Sequence, residues 1–474
     1  MSVIKFGTDG WRAAIAEDYT FQNVRVCSQA VSEYLLEGGN AARGIVIGYD
    51  TRFASEYFAA TVAEVTTANG VRTYLCDRAA PTPAISYSIL TNRAAGGVVI
   101  TASHNPWTDN GFKYKLDFGA SATPEVVTQL ESHIDRIEKS GSRVQRLSLD
   151  EARSRDLLVT FDPSQLYIEK VRSLVDVDGI RQSGLRVVYD PMHGAGAGYL
   201  SALLAGDRTQ VLEIRPERNP YFDGGGPEPI TKNLGQLIGL MSQGGYDIGL
   251  STDGDADRLG VVDENGRFVS QLEVFALLAL YLLEARGERG DLVKSVTSTS
   301  MADLLGRLYG VQVHEERVGF KYIGSKMIEV NALMGGEESG GFAFRGHIPE
   351  RDGVVASLFM LDLMVKLKMK PSQLVDHLFK LVGPHYYDRV DFRLTPESRD
   401  ALLERLPKTH PATLGGVAVK SEDTLDGFRF VLEDGSWLLL RFSGTEPLLR
   451  IYTETDSTDR VKQLLSEGQK LAGV

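Results

Sequence analysis

Three aspartates stand at alternate positions in the stretch DIGLSTDGDADRLGVVDENG, as Asp253, Asp255 and Asp257. Alternate residues of an extended loop face one side, so the three carboxylates can reach a single hard cation. Without a cation, like charges this close would repel one another strongly. Carboxylates together with a phosphate oxygen are ligands that suit Mg²⁺. The spacing therefore predicts a magnesium site.

Other interpretations of the same loop stay open at this stage. In an EF-hand loop Glu264 would take the twelfth position, but Arg258 takes the sixth, where that loop needs glycine, and the flanks are typical of strands. In haloacid-dehalogenase-type phosphatases an Asp-x-Asp loop also ends an apolar strand, and Asp253 would then be the nucleophile. A solvated acidic turn would need no ligand at all.

A serine and a histidine follow an apolar run in the stretch VITASHNPWTDNGF, at Ser103 and His104. A serine in this position is typical of a capped loop. It is also where a strand can present a nucleophile. Lys113, which follows ten residues later in NGFKYK, could then neutralise a group that Ser103 carries.

The stretch RFSGTEPLLR, which follows the apolar run WLLL, predicts an anion site. Arg441 supplies a guanidinium fork, and Ser443 and Thr445 supply hydroxyl groups. Gly444 allows backbone N–H groups to face a ligand. These are the charge-assisted donors that a phosphate dianion needs, so we predict phosphate or another anion here.

Three further motifs are less specific. In GGEESGGFAF, Glu337 and Ser339 share one face of an extended loop and could bind vicinal sugar hydroxyls, although an ordinary glycine-rich turn has the same composition. Arg12 in GTDGWR and Lys321, close after Gly319 in RVGFKYIG, are cations next to glycine. A surface charge would also explain each of them.

The composition limits the class of protein. A chain of 474 residues suggests about three domains, and 43% hydrophobic and 24% charged residues are typical of a globular fold. The net charge of −12 argues against a nucleic-acid surface. No stretch approaches the ~20 apolar residues of a membrane span, and the start lacks a signal peptide, so we expect a cytoplasmic protein. Cys27 and Cys76, isolated in apolar segments, predict free buried thiols.

Three segments share an apolar run, a short polar turn and an amphipathic helical stretch. They are GIVIGYDTRFASEYFAATVAEVTTANG, LRVVYDPMHGAGAGYLSALLAG and LVKSVTSTSMADLLGRLYG. Strands that alternate with helices in this way predict βαβ units and parallel-rich sheets. Their recurrence at intervals of roughly a hundred residues predicts three related α/β domains.

The C-terminal part of the chain has a different pattern. Segments such as FRFVLEDGSWLLLRFS and LLRIYTETD alternate at period two, Asp434-Gly435 predicts a hairpin turn, and DRVKQLLSEGQKLA predicts a final helix. The expected unit is a small α+β domain with an antiparallel sheet. Proline and glycine interrupt the helical pattern between Met369 and Asp388, so we predict a linker there.

In combination and in this order, TASHNP, DGDADR, GEESG and RFSGTEP resemble the motifs of the α-D-phosphohexomutase family, over nearly the whole chain. The resemblance implies a heart-shaped protein with a central cleft. It would have three related α/β/α domains with mixed sheets and a C-terminal α+β domain similar to TATA-box-binding protein. The domain boundaries that we predict are 1–155, 156–265, 266–382 and 383–474.

The resemblance also implies roles for individual residues. Ser103 matches the serine that is phosphorylated in the resting enzyme. The expected metal ligands are Ser103, Asp253, Asp255 and Asp257. The expected catalytic residues are Ser103, His104, Lys113, Arg12, Arg258 and Lys321. The expected substrate-binding residues are Gly319, Glu337 and Ser339 for the sugar, and Arg441, Ser443, Gly444 and Thr445 for the phosphate that is not transferred.

The implied activity is the interconversion of hexose 1-phosphate and hexose 6-phosphate through a phosphoserine enzyme and a hexose 1,6-bisphosphate. A phosphoserine carries ~1.5 to 2 negative charges, so its transfer needs a metal and cations that spread this charge. We expect one Mg²⁺ per active site and glucose 1,6-bisphosphate as activator and intermediate. Expected partners are small hexose phosphates, with neither nucleic acid nor membrane, in a monomer or homodimer.

Proton transfer and sugar preference are the least determined parts of the prediction. Many bacterial members of the family carry a histidine just after the sugar-binding loop, where this chain has Gly341. By resemblance we assign the proton transfer to Lys321, with Lys113 as a candidate on the serine side and His104 as an orienting partner.

The sugar loop bears on the substrate. GEESG followed by GHIPERDG looks more like phosphoglucomutases than like phosphoglucosamine mutases, whose loop usually has glutamine or methionine at the position of Glu338. We expect glucose phosphate as the main substrate, with mannose or dual glucose and mannose use as the competing prediction. A metal-dependent sugar phosphatase and a protein that only binds its ligand are the alternatives from other classes.

Overall fold

The structure, a computed structural model, describes residues 4–7, 9–141, 143–443 and 448–474. The first sheet contains β1 (Trp11–Ala14), β2 (Ile45–Tyr49), β3 (Thr73–Cys76), β4 (Gly96–Ile100), β5 (Asp109–Leu116) and β6 (Leu158–Phe161). The helices of this unit are α1 (Phe21–Glu37), α2 (Ser55–Ala68), α3 (Thr82–Thr91), α4 (Pro124–Ser140) and α5 (Leu149–Ser154). The strand order is β1-β5-β4-β2-β3-β6, and β5 runs antiparallel to both of its neighbours.

The second sheet contains β7 (Arg186–Asp190), β8 (Gln210–Glu213), β9 (Ile248–Thr252), β10 (Leu259–Val262) and β11 (Phe268–Val269). The helices of this unit are α6 (Ser164–Arg172), α7 (Val177–Gln182), α8 (Tyr199–Leu204) and α9 (Gly235–Ser242). The strand order is β11-β10-β9-β7-β8. The pairs of β7 with β8 and β9 are parallel, and β10 is antiparallel to β9.

The third sheet contains β12 (Leu292–Ser295), β13 (Val313–Glu316), β14 (Met334–Gly336) and β15 (Phe342–Phe344), in the order β13-β12-β14-β15. The helices of this unit are α10 (Gln271–Leu280), α11 (Met301–Tyr309), α12 (Phe320–Val330), α13 (Gly353–Leu367) and α14 (Pro371–Val382). Ser270 and Glu273 form a capping box that starts α10 by satisfying its first free N–H groups. After Leu280 this helix continues as a π-helical turn, Tyr281–Ala285.

The three sheets repeat one arrangement. In each, the first parallel strand (β2, β7 or β12) lies between the second and the third, and an antiparallel fourth strand lies beyond the third. The first strands and the helices α2, α8 and α11 come from the three segments that share one sequence pattern. The prediction of three related α/β domains with mixed sheets is confirmed.

The fourth unit is the predicted antiparallel α+β domain. Its strands are β16 (Tyr386–Arg393), β17 (Thr413–Leu414), β18 (Val417–Asp423), β19 (Phe428–Leu432), β20 (Trp437–Phe442) and β21 (Leu448–Thr455), and its helices are α15 (Pro396–Arg405) and α16 (Thr458–Ala472). The order is β16-β21-β20-β19-β18-β17. The turn at Asp434-Gly435 joins β19 to β20, as the sequence predicts.

The structure departs from the predicted boundaries. Strand β6 lies after residue 155 but pairs with β3 in the first sheet, and β11 lies after residue 265 but pairs with β10 in the second. The linker predicted between Met369 and Asp388 is largely helix α14. Pro371 is the first residue of that helix, where a missing N–H costs nothing, so here proline starts a helix and does not interrupt one.

The second and third units share one apolar core, which contains Leu250 of β9, Phe275 of α10 and Leu361 of α13. The first and fourth units have separate cores, around Ile47 and Leu440 respectively. Because buried apolar area is the main favourable term in folding, the second and third units form one body. The first unit contributes Ala84 of α3 to that core and also joins the body through buried charged groups, described below.

Two sequence predictions concern the chain as a whole. Cys27 and Cys76 are both buried free thiols, and burial raises the pKa of each. Within the described residues, no helix has the length and apolarity that crossing a bilayer requires. The prediction that Cys27 and Cys76 are free buried thiols is therefore confirmed.

Candidate functional site

Three predicted site loops occupy the same position in the three repeats. Ser103 lies between the third strand β4 and the antiparallel strand β5 of the first sheet. The three aspartates lie between β9 and β10 of the second sheet, and Glu337 and Ser339 lie between β14 and β15 of the third. The repeat therefore presents one loop of each sheet to a common site.

Ser103 is fully buried and has a left-handed backbone, with φ of 54°. Its N–H donates to Thr101 Oγ1 over 2.8 Å, and its hydroxyl donates to Asp253 Oδ2 over 2.8 Å. Gly254 allows the two loops to approach, because a Cβ at this position would lie 2.6 Å from the carbonyl oxygen of Ser103. The structure thus joins the serine loop to the aspartate loop through side chains and backbone.

Arg52, which the sequence prediction missed, holds the serine loop. This fully buried guanidinium donates to four backbone carbonyl oxygens at distances of 2.7 to 3.0 Å: those of Ser103, Asn105, Pro106 and Asp109. Its Nε lies 3.3 Å from the buried carboxylate of Asp50. The stretch DTR directly after β2 is the available signal, since it places a charged pair, Asp50 and Arg52, at the end of a buried strand.

Two predicted residues flank Ser103. His104 Nδ1 lies 3.3 Å from Ser103 Oγ, and burial together with Arg258 and Arg12 holds the pKa of His104 well below its usual value. The imidazole is therefore neutral. Arg12 Nη1 donates to Asn105 Oδ1 over 2.8 Å, which places a cation beside the serine loop.

The three aspartates form the compact acidic cluster that the spacing predicts. All three are fully buried, and one carboxylate oxygen of each lies within 4.8 Å of the others. Asp253 Oδ1 accepts from the N–H groups of Asp257 and Arg258 over 3.0 and 3.1 Å. Burial and the charges of Asp257 and Asp255 raise the pKa of Asp253 well above its usual value.

The donor set fits a hard cation. Among the residues that the structure describes, the buried Oδ1 atoms of Asp255 and Asp257 have no hydrogen-bond partner. The EF-hand interpretation is wrong, because strands β9 and β10 flank the loop. Glu264, which that interpretation needs as a ligand, bonds to Ser372 through its side chain.

Cations surround the acidic cluster. Lys113 Nζ, fully buried, lies 2.9 Å from Asp255 Oδ2, 3.4 Å from Asp257 Oδ2 and 2.8 Å from Asp9 Oδ2. Although burial opposes the charged form, these carboxylates raise the pKa of Lys113. The lysine therefore remains protonated. Arg258 contacts Glu228 over 3.4 Å and has its Nε 4.0 Å from oxygens of Asp253 and Asp257.

The Glu337 loop is attached to the aspartate loop through the backbone. Leu259 N–H donates to Gly340 O over 2.9 Å. Glu337 Oε1 accepts from the N–H of Gly319 over 2.9 Å, so two predicted substrate residues contact each other. Burial raises the pKa of Glu337 to about 7, against the lowering effect of Arg351. Ser339 is half-buried beside them.

Lys321 lies in the first turn of α12, directly after the loop that holds Gly319. Its ammonium lies 5.3 Å from the ring centre of Tyr322. Burial lowers the pKa of Lys321, opposed by the charges of Asp9 and Glu125. A lysine with a lowered pKa is a candidate for proton transfer.

The anion loop of the fourth unit is linked through Asp426 to the backbone next to Gly319. Arg441 and Ser443 are buried, and Arg441 Nε donates to Asp426 Oδ2 over 2.8 Å. The same carboxylate accepts from the N–H of Val318 over 2.9 Å, next to Gly319. Gly444 and Thr445 lie outside the described residues.

The sequence prediction also missed a buried ionic network. Lys115 contacts Asp9 over 3.2 Å and also pairs with Glu350 of the third unit, and Arg351 lies 2.7 Å from Asp9 and 2.9 Å from Asp257. These residues appear in GTDGWR, NGFKYK and GHIPERDG, which were noted for other residues. Only the contacts between units reveal their importance.

The three α/β repeats bring a buried serine, an acidic cluster and a glycine-rich carboxylate loop to one site, and an antiparallel unit follows them. This combination defines an enzyme of the phosphohexomutase type. Sequence models described as phosphoglucomutase/phosphomannomutase match alpha/beta/alpha domain I at residues 3–141, domain II at 165–266, domain III at 272–382 and the C-terminal domain at 398–468. The chain belongs to this family, whose enzymes are isomerases that act as phosphotransferases.

Individual relatives span the whole chain. It is 31% identical over 470 residues to a phosphoglucomutase/phosphomannomutase of Thermococcus kodakarensis, covering 98% of both chains. It is 29% identical to a phosphoglucomutase of Komagataeibacter xylinus, covering 98% of this chain and 90% of that one. A Thermus thermophilus crystal structure, provisionally assigned as a phosphomannomutase, is 33% identical and matches with a TM-score of 0.87 over 100% of both chains.

Arg52 leads to a prediction about stability. We expect Arg52→Met to lower the free energy of unfolding by about 3–5 kcal/mol, since it leaves Asp50 buried without its cation and removes the guanidinium donor from four carbonyl oxygens. Arg52→Lys keeps the charge but loses the planar fork, so its loss should be smaller. Urea unfolding measures both. Arg78→Met, which removes an exposed arginine paired with Asp77, is the control, and equal losses at positions 52 and 78 would contradict the assignment.

Proposed function

We propose that this enzyme interconverts hexose 1-phosphate and hexose 6-phosphate through a phosphoserine at Ser103. The observation that carries the proposal is the hydrogen bond from Ser103 Oγ to Asp253 Oδ2, at 2.8 Å, within a buried acidic cluster. This hydroxyl lies beside a candidate cation site, with arginine and lysine side chains nearby. Such a position is suited to a group that carries a phosphoryl group. The family assignment supports the reaction class.

Charge neutralisation is the main task of the site. Asp253, Asp255 and Asp257 with Ser103 Oγ would hold one Mg²⁺, which would spread the negative charge of the phosphoryl group. The cations of the protein act from the remaining sides. Arg12 lies beside the serine loop, and Lys113 lies against Asp255. A preorganised set of this kind stabilises charge that develops during transfer.

Proton transfer falls to different groups at the two ends of the reaction. On the sugar side we propose Lys321, whose pKa is lowered by burial, to take the proton of the attacking hydroxyl and return it. On the serine side, neutral His104 orients Ser103 Oγ. Lys113, which is held protonated by the carboxylates around it, would give a proton to Ser103 Oγ as the phosphoryl group leaves and take it back when Ser103 Oγ attacks the second phosphate.

Substrate binding is divided between two units. Glu337, Ser339 and Gly319 would hold the sugar hydroxyls. Arg441 and Ser443, with Gly444 and Thr445, would hold the phosphate that is not being transferred. Because a hexose 1,6-bisphosphate presents a phosphate at either end, the anion loop must accept both orientations, and the intermediate can turn around between the two transfers. Glucose 1,6-bisphosphate would then serve as intermediate and activator.

We propose glucose phosphate as the main substrate. Relatives named phosphoglucomutase or phosphoglucomutase/phosphomannomutase support this choice, as does Glu338 in the sugar loop. Mannose differs from glucose only at C2, so a dual enzyme is the second candidate. Several archaeal relatives with 29–31% identity are named as probable phosphoglucosamine mutases, which makes glucosamine the third sugar to test.

The first test concerns Ser103. After incubation with glucose 1,6-bisphosphate, we expect the intact mass of the protein to rise by one phosphate. Ser103→Ala should lose both this increment and the mutase activity, because no hydroxyl remains to carry the group.

Ser398→Ala, an exposed serine in α15, is the control and should behave like the unmodified sequence. An increment that survives Ser103→Ala and is removed by hydroxylamine would place the phosphate on an aspartate. The phosphatase with Asp253 as nucleophile would then be correct.

The second test concerns the metal. We expect chelation with EDTA to abolish turnover and Mg²⁺ to restore it. Asp255→Asn should raise the Mg²⁺ concentration for half-maximal activity about 10-fold or more, because affinity follows the ligand charge. Glu264→Gln is the matched control, since Glu264 bonds to Ser372 and lies outside the cluster. Unchanged Mg²⁺ dependence in Asp255→Asn would refute the assignment.

The third test concerns the sugar. With the bisphosphate present, kcat/KM should be highest for glucose 1-phosphate, with mannose 1-phosphate second and glucosamine 1-phosphate lowest. The Ser103→Ala protein, purified in parallel, controls for a contaminating mutase. A preference for glucosamine 1-phosphate would reject the proposed substrate and leave the reaction class intact.

A further inference from the structure

Arg351 connects three loops of the site. It lies just before α13, and one guanidinium nitrogen, Nη2, lies 2.9 Å from Asp257 Oδ2 and 2.7 Å from Asp9 Oδ2. The other terminal nitrogen, Nη1, lies 3.7 Å from Glu337 Oε2. Its Nε lies 3.3 Å from Glu350 Oε1. A single buried side chain therefore touches a carboxylate from each of the three repeats.

Gly341 fixes the path of this side chain. A Cβ at position 341 would lie 2.2 Å from Cδ and 2.8 Å from Cγ of Arg351, so any larger residue would displace the arginine. The need for glycine is one of space, since its φ lies outside the left-handed range. The ring of Phe320 lies 5.3 Å from the guanidinium carbon and limits its movement. Arg351 thus occupies the space of a side chain at 341.

The position of Arg351 also determines which charges lie next to Glu337. Among the described residues, the ion pair of Glu337 is with Arg351 alone. Asp257, Glu350 and Asp9 surround the guanidinium of Arg351 with buried carboxylates at 2.7 to 3.3 Å. Removal of Arg351 would leave the buried Glu337 carboxylate without its described ion-pair partner, so the side chain would lose a contact that orients it.

We propose that Arg351 is a positioning residue that fixes the carboxylate of Glu337 relative to Asp257, with Gly341 as the residue that leaves it room. The loop that carries Asp257 in the second unit and the loop that carries Glu337 in the third are thereby held in a fixed position relative to each other. The inference rests on the proposed function, because it assumes that Glu337 binds a sugar hydroxyl. It adds a residue that controls how the sugar is held beside the reacting phosphate.

A double-mutant cycle between Arg351 and Glu337 tests the proposal. The substrates are the hexose 1-phosphate and its monodeoxy analogues, and the measured quantity is the ratio of their kcat/KM values. Glu337→Gln and Arg351→Met should each reduce the discrimination against the analogue that lacks the bound hydroxyl, by about 10-fold. The double variant should lose no more than the worse single variant, because both changes remove one interaction.

The outcomes separate positioning from a structural role. If Arg351 had only a structural role, Arg351→Met would lower kcat/KM equally for all analogues, or its fold-change would multiply with that of Glu337→Gln in the double variant. Either result overturns the inference. Arg351→Lys keeps the charge and should restore part of the discrimination. Arg345→Met is the matched control in the same unit, because Arg345 pairs with Glu288 outside the site. It should retain full discrimination.

A second variant covers the case in which Arg351→Met does not fold. Gly341→Ala retains the arginine but displaces it, and it should lower the discrimination in the same way. If Gly341→Ala folds and its discrimination is unchanged, the proposed path of the Arg351 side chain is overturned. Failure of the proposed function itself is distinguishable, because Ser103→Ala would then retain turnover.

Discussion

The structure depends on the mutual neutralisation of charges that the three repeats bury together. Asp9, Lys113 and Lys115 come from the first unit, the three aspartates from the second, and Glu350 and Arg351 from the third. Removing one partner of such a pair leaves a charge with no water to solvate it, at a cost of about 3–5 kcal/mol. The second and third units are joined by an apolar core, to which the first adds Ala84 of α3, and the first unit is also aligned on them by ion pairs that require correct geometry. Catalytic alignment and domain alignment thus rest on the same contacts.

The repeat explains how one architecture supports several kinds of chemistry. In each sheet the loop between the third strand and its antiparallel neighbour faces the site, and the order of the four strands that the sheets have in common is the same in all three. The loops differ in content: one carries a serine, one carries carboxylates, and one carries glycine around Glu337. The sheets determine where the loops meet, and the loop residues determine what they do there.

Much of the site could be predicted because its motifs are local. The spacing of Asp253, Asp255 and Asp257 and the apolar strand before Ser103 lie within a few residues, and they form the observed cluster. Arg52, Arg351 and Asp9 escaped prediction, since each acts on residues far away in the sequence. The short edge strands β6 and β11 carry too little pattern to fix a domain boundary. The sequence predicts a linker around Pro371, whereas the structure has this residue at the first position of α14. Proline is common both before a helix and at its first position, so the residue type alone does not distinguish the two.

The hold of Arg52 on the serine loop has a consequence for sequence variation. The guanidinium binds the carbonyl oxygens of Ser103, Asn105, Pro106 and Asp109, and every amino acid possesses a carbonyl oxygen. The loop can therefore exchange side chains at several positions without loosening its anchor. A substitution at one of these positions can change the side chain that the loop displays to a substrate while the backbone contacts with Arg52 are retained.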